Sequence, residues 1–403
     1  MALLLAILGV SALGATALGL TCPRRPFRLV PITFFASWLA GDLALQHLVL
    51  QVAVTALLVG LGALDGVAGV VGLVAMALSW AGLGVLLHRH REAAPVFDAS
   101  LQEIGIPAGE SLPSTAARLP ARALVNPFVP SRRGVAITKD LVYGEHRRNR
   151  LDVLAPADGR RGCPVLLQIH GGAWTIGSKE QQGQPLMRHL ARSGWVCVAP
   201  NYRLSPKATF PAHLIDVKRA LAWIREHIAD YGGDPEFVVV TGGSAGGHLA
   251  ALVGLTPNDP RFQPGFEDVD TSVRACIPVY GVFDFLDRHG LRRGQMEPLL
   301  RKLVMKTAPT VDRDGWSAAS PLSHVRRDAP PFFVVQGAQD TLVWAEEARR
   351  FVADLRVMST QPVGYAEVPH AQHAFDLLVN RRSLAFVRAV ETFLESVRSA
   401  RPA

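Results

Sequence analysis

The sequence predicts an α/β fold, a mostly parallel central sheet with helices on both faces, preceded by an apolar helical region that spans a membrane. Three observations carry this reading. Residues 1–87 hold only five charged side chains (Arg24, Arg25, Arg28, Asp42 and Asp65), although the chain as a whole is 19% charged. From about Val135 onward, short continuous apolar runs alternate with amphipathic stretches, the pattern of strands covered on both faces. A glycine-rich turn around Ser244 joins one of these runs directly to a helical stretch.

Residues 1–20 are uncharged and almost wholly apolar, and a helix of roughly 20 residues crosses about 30 Å of hydrocarbon. A cleaved secretory leader carries positive charge ahead of its apolar stretch, whereas Arg24, Arg25 and Arg28 follow it here. Thr21 before Cys22 is a poor setting for lipoprotein processing. Two further spans fit residues 43–64 and 66–87, turning at Asp65 and Gly66. The shorter run 32–40 follows Pro31 and ends at Gly41 and Asp42, and reads as interfacial or re-entrant. Asp42 and His47 sit near span ends, at headgroup level. Residues 1–92 therefore form a transmembrane region of about three spans. Arg24, Arg25 and Arg28 on one side and Arg89 and Arg91 on the other place both flanks, and the large body, in the cytoplasm.

Residues 93–133 are punctuated by Pro95, Pro107, Pro113, Pro120, Pro127 and Pro130 and read as a linker or lid. The body, 134–403, has expected strands at 137–143, 150–153, 165–169, 196–200, 237–241, 275–279, 332–336 and 365–368. Helical stretches at 214–231, 345–358 and 383–399 lie among them. In such sheets functional residues gather at the carboxyl ends of the strands.

The net charge of +8 comes partly from arginine pairs such as Arg132/Arg133, Arg147/Arg148, Arg160/Arg161 and Arg292/Arg293. They form no basic stripe interleaved with aromatics, so nucleic acid is not an expected partner; anionic headgroups or plain solvation account for them. Cys22, Cys163, Cys197 and Cys276 lack metal or redox spacing and are expected as free thiols in a reducing compartment. No metal or cofactor is expected.

Four motifs fall at strand ends. Gly242-Gly243-Ser244-Ala245-Gly246-Gly247 is a G-x-S-x-G elbow, in which a strained strand-to-helix turn projects the serine hydroxyl above the sheet. His170-Gly171-Gly172-Ala173-Trp174 follows the run PVLLQI. Gly171 and Gly172, with Ala245 from the elbow, can aim backbone N–H groups at a developing oxyanion. His170 reads as a structural residue that hydrogen-bonds this loop in place. Asp340 follows the run PPFFVVQG and is the acid candidate. His373 lies in the loop after GYAEVP and completes the order serine, acid, histidine, with His370 as its alternative.

HGGAW, NYRLSP (201–206), FPAHLIDV (210–217), YGGDP (231–235), GGSAGG and HAF, in this order, resemble the hormone-sensitive-lipase-like carboxylesterases, and several apolar N-terminal segments resemble a membrane-associated actinobacterial subgroup. The resemblance covers residues 137–399. It implies the α/β-hydrolase fold, a Ser244–Asp340–His373 triad, oxyanion donors Gly171, Gly172 and Ala245, and a carboxylic ester substrate, membrane-resident or amphiphilic. In place of the family's usual third glycine stands Ala173, then Trp174, which would set a large ring at the mouth of the acyl site and speaks against tertiary-alcohol esters. Segment 283–314 occupies the cap position, where Leu299 and Leu303 would line an acyl pocket or face a packed helix. The same apparatus could cleave an amide or formamide, and a silent binding protein is the reading from another class.

Overall fold

The computed structural model describes residues 1–24, 29–107, 123, 126–128 and 133–400. Arg25, Arg28 and Arg132, and most of the proline-punctuated stretch, lie outside them.

Eight strands form one sheet in the order β1-β2-β4-β3-β5-β6-β7-β8. They are β1 (Val135–Val142), β2 (Arg150–Pro156), β3 (Cys163–Ile169), β4 (Val196–Pro200), β5 (Gly233–Gly243), β6 (Ala275–Val279), β7 (Phe332–Gly337) and β8 (Val363–Val368). Each expected run is a strand. The β1–β2 and β2–β4 pairs are antiparallel and all others parallel. Side chains alternate across the sheet as the pleat requires. Val165, Leu167 and Ile169 of β3 enter one apolar cluster, while Leu166 enters the cluster on the other face.

The apolar N-terminal region comprises α1 (Ala2–Thr21), α2 (Val30–Asp42), α3 (Ala44–Gly60) and α4 (Val67–Arg89). Helices α1 and α4 pack backbone to backbone because Gly9 and Gly72 face each other; a Cβ on Gly72 would strike the backbone of Leu5 and Ala6. Thr16 Oγ1 meets Ser79 Oγ at 2.8 Å, and Ser79 donates to Gln51 Oε1 at 2.9 Å, a polar chain through α1, α4 and α3. Two helices are long and apolar enough to cross a membrane, Ala2–Thr21 and the 37-residue Val67–Glu103. The expected middle span differs: α2 and α3 qualify only together and are bent by 82°. The short run after Pro31 is thus a full helix, with proline in its first turn, where no N–H is needed.

The segment read as a linker begins instead with α5 (Ala93–Glu103), joined to α4 through the turn His90–Glu92. Phe97 and Leu101 are buried in the second cluster, with the Phe97 ring 6.2 Å from that of Phe386. At 1.5 Å per residue the Val67–Glu103 rod is about 55 Å long, so one apolar helix runs on into the core of the body. The body's helices are α6 (Gln184–Arg192), α7 (Ala212–His227), α8 (Ala245–Leu255), α9 (Arg313–Ala318), α10 (Ala345–Met358) and α11 (Arg381–Ser399). Helix α11 starts on a capping box between Asn380 and Ser383 and buries Phe386, Val387, Val390, Phe393 and Leu394, an amphipathic stripe.

Candidate active site

Ser244 caps α8 at the end of β5 with φ 58° and ψ −121°, a backbone state that non-glycine residues hold only when the surroundings enforce it. Ser244 N–H donates to Val279 O at 2.9 Å, pinning the turn to β6. The glycine at 246 is a steric requirement: a Cβ there would collide with the carbonyl oxygens of Ile169 and His170. The helix begins at Ala245, whose N–H has no intrahelical partner and lies beside the serine.

Asp340, fully buried, sits in the loop after β7. Its Oδ1 accepts the N–H groups of Leu342 and Val343, both at 2.8 Å. Its Oδ2 accepts Gln336 Nε2 at 3.0 Å and meets His373 Nδ1 at 2.6 Å. His373 is 5% exposed, and its ring lies 4.5 Å from that of Tyr280. The Tyr280 hydroxyl in turn crowds Gly243, one residue before Ser244, and donates to Asp376 Oδ1. Tyr280 therefore separates and spaces the serine turn and the histidine loop. Among the described residues Ser244 Oγ and His373 Nε2 share no hydrogen bond; such bonds often tighten only when substrate binds. His370 is elsewhere, its Nε2 3.5 Å from Glu92.

The loop after β3 departs from expectation. Gly171 N–H is not an available oxyanion donor, because it donates to Gln182 Oε1 at 2.6 Å. The N–H groups of Gly172 and Ala173, like that of Ala245, donate to no acceptor among the described residues. His170 is fully buried and stacks 4.3 Å from the Tyr202 ring, and Tyr202 Oη donates to His170 O at 3.0 Å. Burial pushes its pKa down to about 4, so it is a neutral support for the loop.

Trp174 does not stand at the mouth of a site. It adopts φ 60°, turns inward and is 2% exposed. Its Nε1 donates to His248 Nδ1 at 3.2 Å, its ring packs edge-on to Phe285 at 5.2 Å, and His248 Nε2 donates to Ala319 O at 2.7 Å. Leu299 and Leu303 are partly buried against the first apolar cluster, beside buried Leu300 and Val304. That arrangement is a packed helix face.

Sequence reasoning missed Gln182, Tyr280, Asp376 and Gln372. Gln372 Oε1 accepts Thr341 N–H at 2.8 Å and His373 N–H at 2.9 Å. The signal for Tyr280 was its place directly after the apolar strand 275–279; the two glutamines gave none.

An elbow serine on a mostly parallel eight-stranded sheet, with an acid–histidine pair on the loops after β7 and β8, defines an α/β-hydrolase. Within that class the chain belongs to the BD-FAE family, which matches residues 151–355. It is 53% identical over 268 residues to a probable carboxylic ester hydrolase, LipM, of Mycobacterium tuberculosis, covering 66% of this chain and 62% of that protein. It is 50% identical to esterase LipQ of the same organism, covering 66% and 63%. The chain thus spans less than two thirds of these relatives' own length. Among solved structures, esterase 2 of Thermogutta terrifontis superposes with TM-score 0.55 and 27% identity, covering 68% of this chain and 98% of that one. These comparisons agree with the resemblance to the hormone-sensitive-lipase-like carboxylesterases.

Proposed function

We propose that the chain is a membrane-tethered serine carboxylesterase that hydrolyses carboxylic esters through an acyl-enzyme on Ser244. The observation that carries this reading is the buried Asp340–His373 bond of 2.6 Å on the loops that flank an elbow serine. With Nδ1 committed to Asp340, the imidazole keeps Nε2 for proton transfer. His373 takes the proton from Ser244 Oγ as the serine attacks the ester carbonyl. The N–H groups of Gly172, Ala173 and Ala245 receive the oxyanion, and the imidazolium returns the proton to the leaving alcohol. Water, deprotonated by His373, then releases the acid and restores the serine. No cofactor takes part.

The tether rests on Ala2–Thr21 and Val67–Glu103, whose outward faces carry exposed Leu3, Leu4, Ile7, Val70, Val74 and Leu78. With the bent α2–α3 pair as the return crossing, Arg24 and Arg89, which donates to Leu20 O at 3.0 Å, stand on one side, and these arginines favour a cytoplasmic body. Exposed Ile176, against Gly172, and the Phe34 ring, edge-on to His373, give the site apolar surroundings suited to an amphiphilic ester. Plant relatives 30–36% identical over part of the chain are named isoprenylcysteine alpha-carbonyl methylesterases, most of them as probable. The test is to treat the detergent-solubilised chain with a fluorophosphonate and map the adduct by peptide mass spectrometry. One adduct, on Ser244, is expected; an unmodified Ser244 under conditions that inactivate the protein would refute the assignment.

A further inference from the structure

The catalytic loops of the body are held from outside it. Arg24 Nη2 donates to Ala338 O at 3.2 Å, in the loop that bears Asp340. Trp38 Nε1 donates to Ala374 O at 3.1 Å, directly after His373, and the Phe34 ring stands edge-on to the His373 ring at 6.1 Å. Between these contacts lies Gln372, 3% exposed, whose Nε2 donates to Ser37 Oγ at 2.9 Å. The Ser37 hydroxyl spends its own proton on Phe34 O at 3.0 Å, so toward Gln372 it can only accept. That fixes the amide: Nε2 must face Ser37, and Oε1 must face the N–H groups of Thr341 and His373. One side chain thereby ties the acid loop, the histidine loop and helix α2 at a single point.

We propose that α2, from the apolar N-terminal region, is part of the active site, and that Gln372 is a positioning residue that aligns Asp340 and His373 through an anchor on Ser37. This rests on the serine esterase reading above. Phe34, Ser37 and Trp38 of α2 meet the catalytic loops, Ala40 lies against Gly19 of α1, and Ile32 and Phe35 are exposed. The 82° bend between α2 and α3 lays α2 across the direction of α3. A helix so placed joins the setting of the apolar bundle to the geometry of the triad. The body without α2 would keep its serine and lose the alignment of the other two residues.

The test uses the full chain in detergent, with p-nitrophenyl butyrate as substrate and kcat expressed per site titrated to completion by a fluorophosphonate. Gln372→Ala is expected to lower kcat on the order of a hundredfold with KM within about twofold, the effect of an active-site misplacement of about 1 Å. Because that variant also strands two buried N–H groups, Ser37→Ala is the second probe, with a loss of about tenfold, one hydrogen bond's worth. The double variant should be no slower than Gln372→Ala, since both act along one path. Gln372→Glu keeps the acceptor for Thr341 and His373 but loses the donor to Ser37, so it should recover only to about the level of Ser37→Ala, roughly tenfold below wild type. Its carboxylate beside His373 favours the imidazolium, so the acid limb of kcat/KM should move to higher pH. Unchanged kcat with a lowered melting temperature, multiplicative losses in the double variant, or a Glu variant indistinguishable from the Ala variant would each overturn the proposal. A wild type no faster than Ser244→Ala would instead sink the esterase reading itself.

Discussion

The sheet body and the apolar N-terminal region are held together by different physics. In the body, strands β3 and β4 are wholly buried, and the stabilising term is removal of apolar side chains from water on both faces. In the N-terminal region many large apolar side chains face outward, and the helices meet through close backbone approach at Gly9 and Gly72 and the Thr16–Ser79–Gln51 chain. The seam between them is polar. Arg382 Nη1 meets Asp42 Oδ1 at 3.0 Å with both side chains at most 2% exposed, and Asn380 Nδ2 approaches Asp42 O. Apolar contact alone would let one region slide on the other; buried ionic and hydrogen-bonded contacts specify one docking. The N-terminal region therefore acts as a fixed part of the protein's frame.

Variants in each region separate the two kinds of stabilisation. The largest effect belongs to the body: His373→Ala should lower kcat on p-nitrophenyl esters by roughly four orders of magnitude or more, with little change in melting temperature. A loss under tenfold would mean that another group takes the proton. At the seam, Arg382→Met strands a buried carboxylate and should destabilise the chain by about 3–5 kcal/mol, with Asp42→Leu in the same chain restoring much of it. Equal instability of single and double variants in chemical denaturation would show that the pair does not set the docking. In the rod, Phe97→Ala should remove about 3–5 kcal/mol from the body, since this N-terminal side chain is 1% exposed in the body's core. If the body's denaturation midpoint stays put, α5 is a linker after all.

Acid should act on the body through His170, His213 and His248, which burial holds at about 4, 4 and 3. These folded-state values lie below the ordinary 6.5, so between pH 6.5 and about 4 the unfolded chain binds more protons than the folded one. Stability is then full above 6.5 and falls as pH drops through that window. Tryptophan fluorescence melts from pH 7.5 to 4.5 should show a falling midpoint; a flat profile would contradict the buried neutral histidines. The smallest effect is expected at Arg24→Ala, whose ion pair with Glu346 is 30% and 40% exposed: under about 1 kcal/mol of stability.

What was legible in the sequence follows the range of the interactions. Strands β4 and β6 could be bounded from the chain because continuous apolar runs between turn residues have few other solutions, and Ser244, Asp340 and His373 stand where the chain order and strand ends put them. The occupied N–H of Gly171 could not be read, because its acceptor, Gln182, lies eleven residues on with no periodicity to announce it. Trp174 was misplaced for a backbone reason: positive φ at Ala173 and Trp174 turns the ring into the core. Helix α5 was hidden by Pro95, which sits harmlessly in its first turn, where no N–H is needed. The docking of α2 was beyond reach because Ser37 and Gln372 are 335 residues apart in sequence.

Nucleophilic catalysis by Ser244 is tested by the rate of p-nitrophenyl ester hydrolysis, from short to long acyl chains, by the detergent-solubilised chain and its Ser244→Ala variant. A nucleophilic Ser244 predicts a loss of roughly four to six orders of magnitude in the variant on every ester that the wild type cleaves. A wild type no faster than Ser244→Ala across the whole series would contradict it.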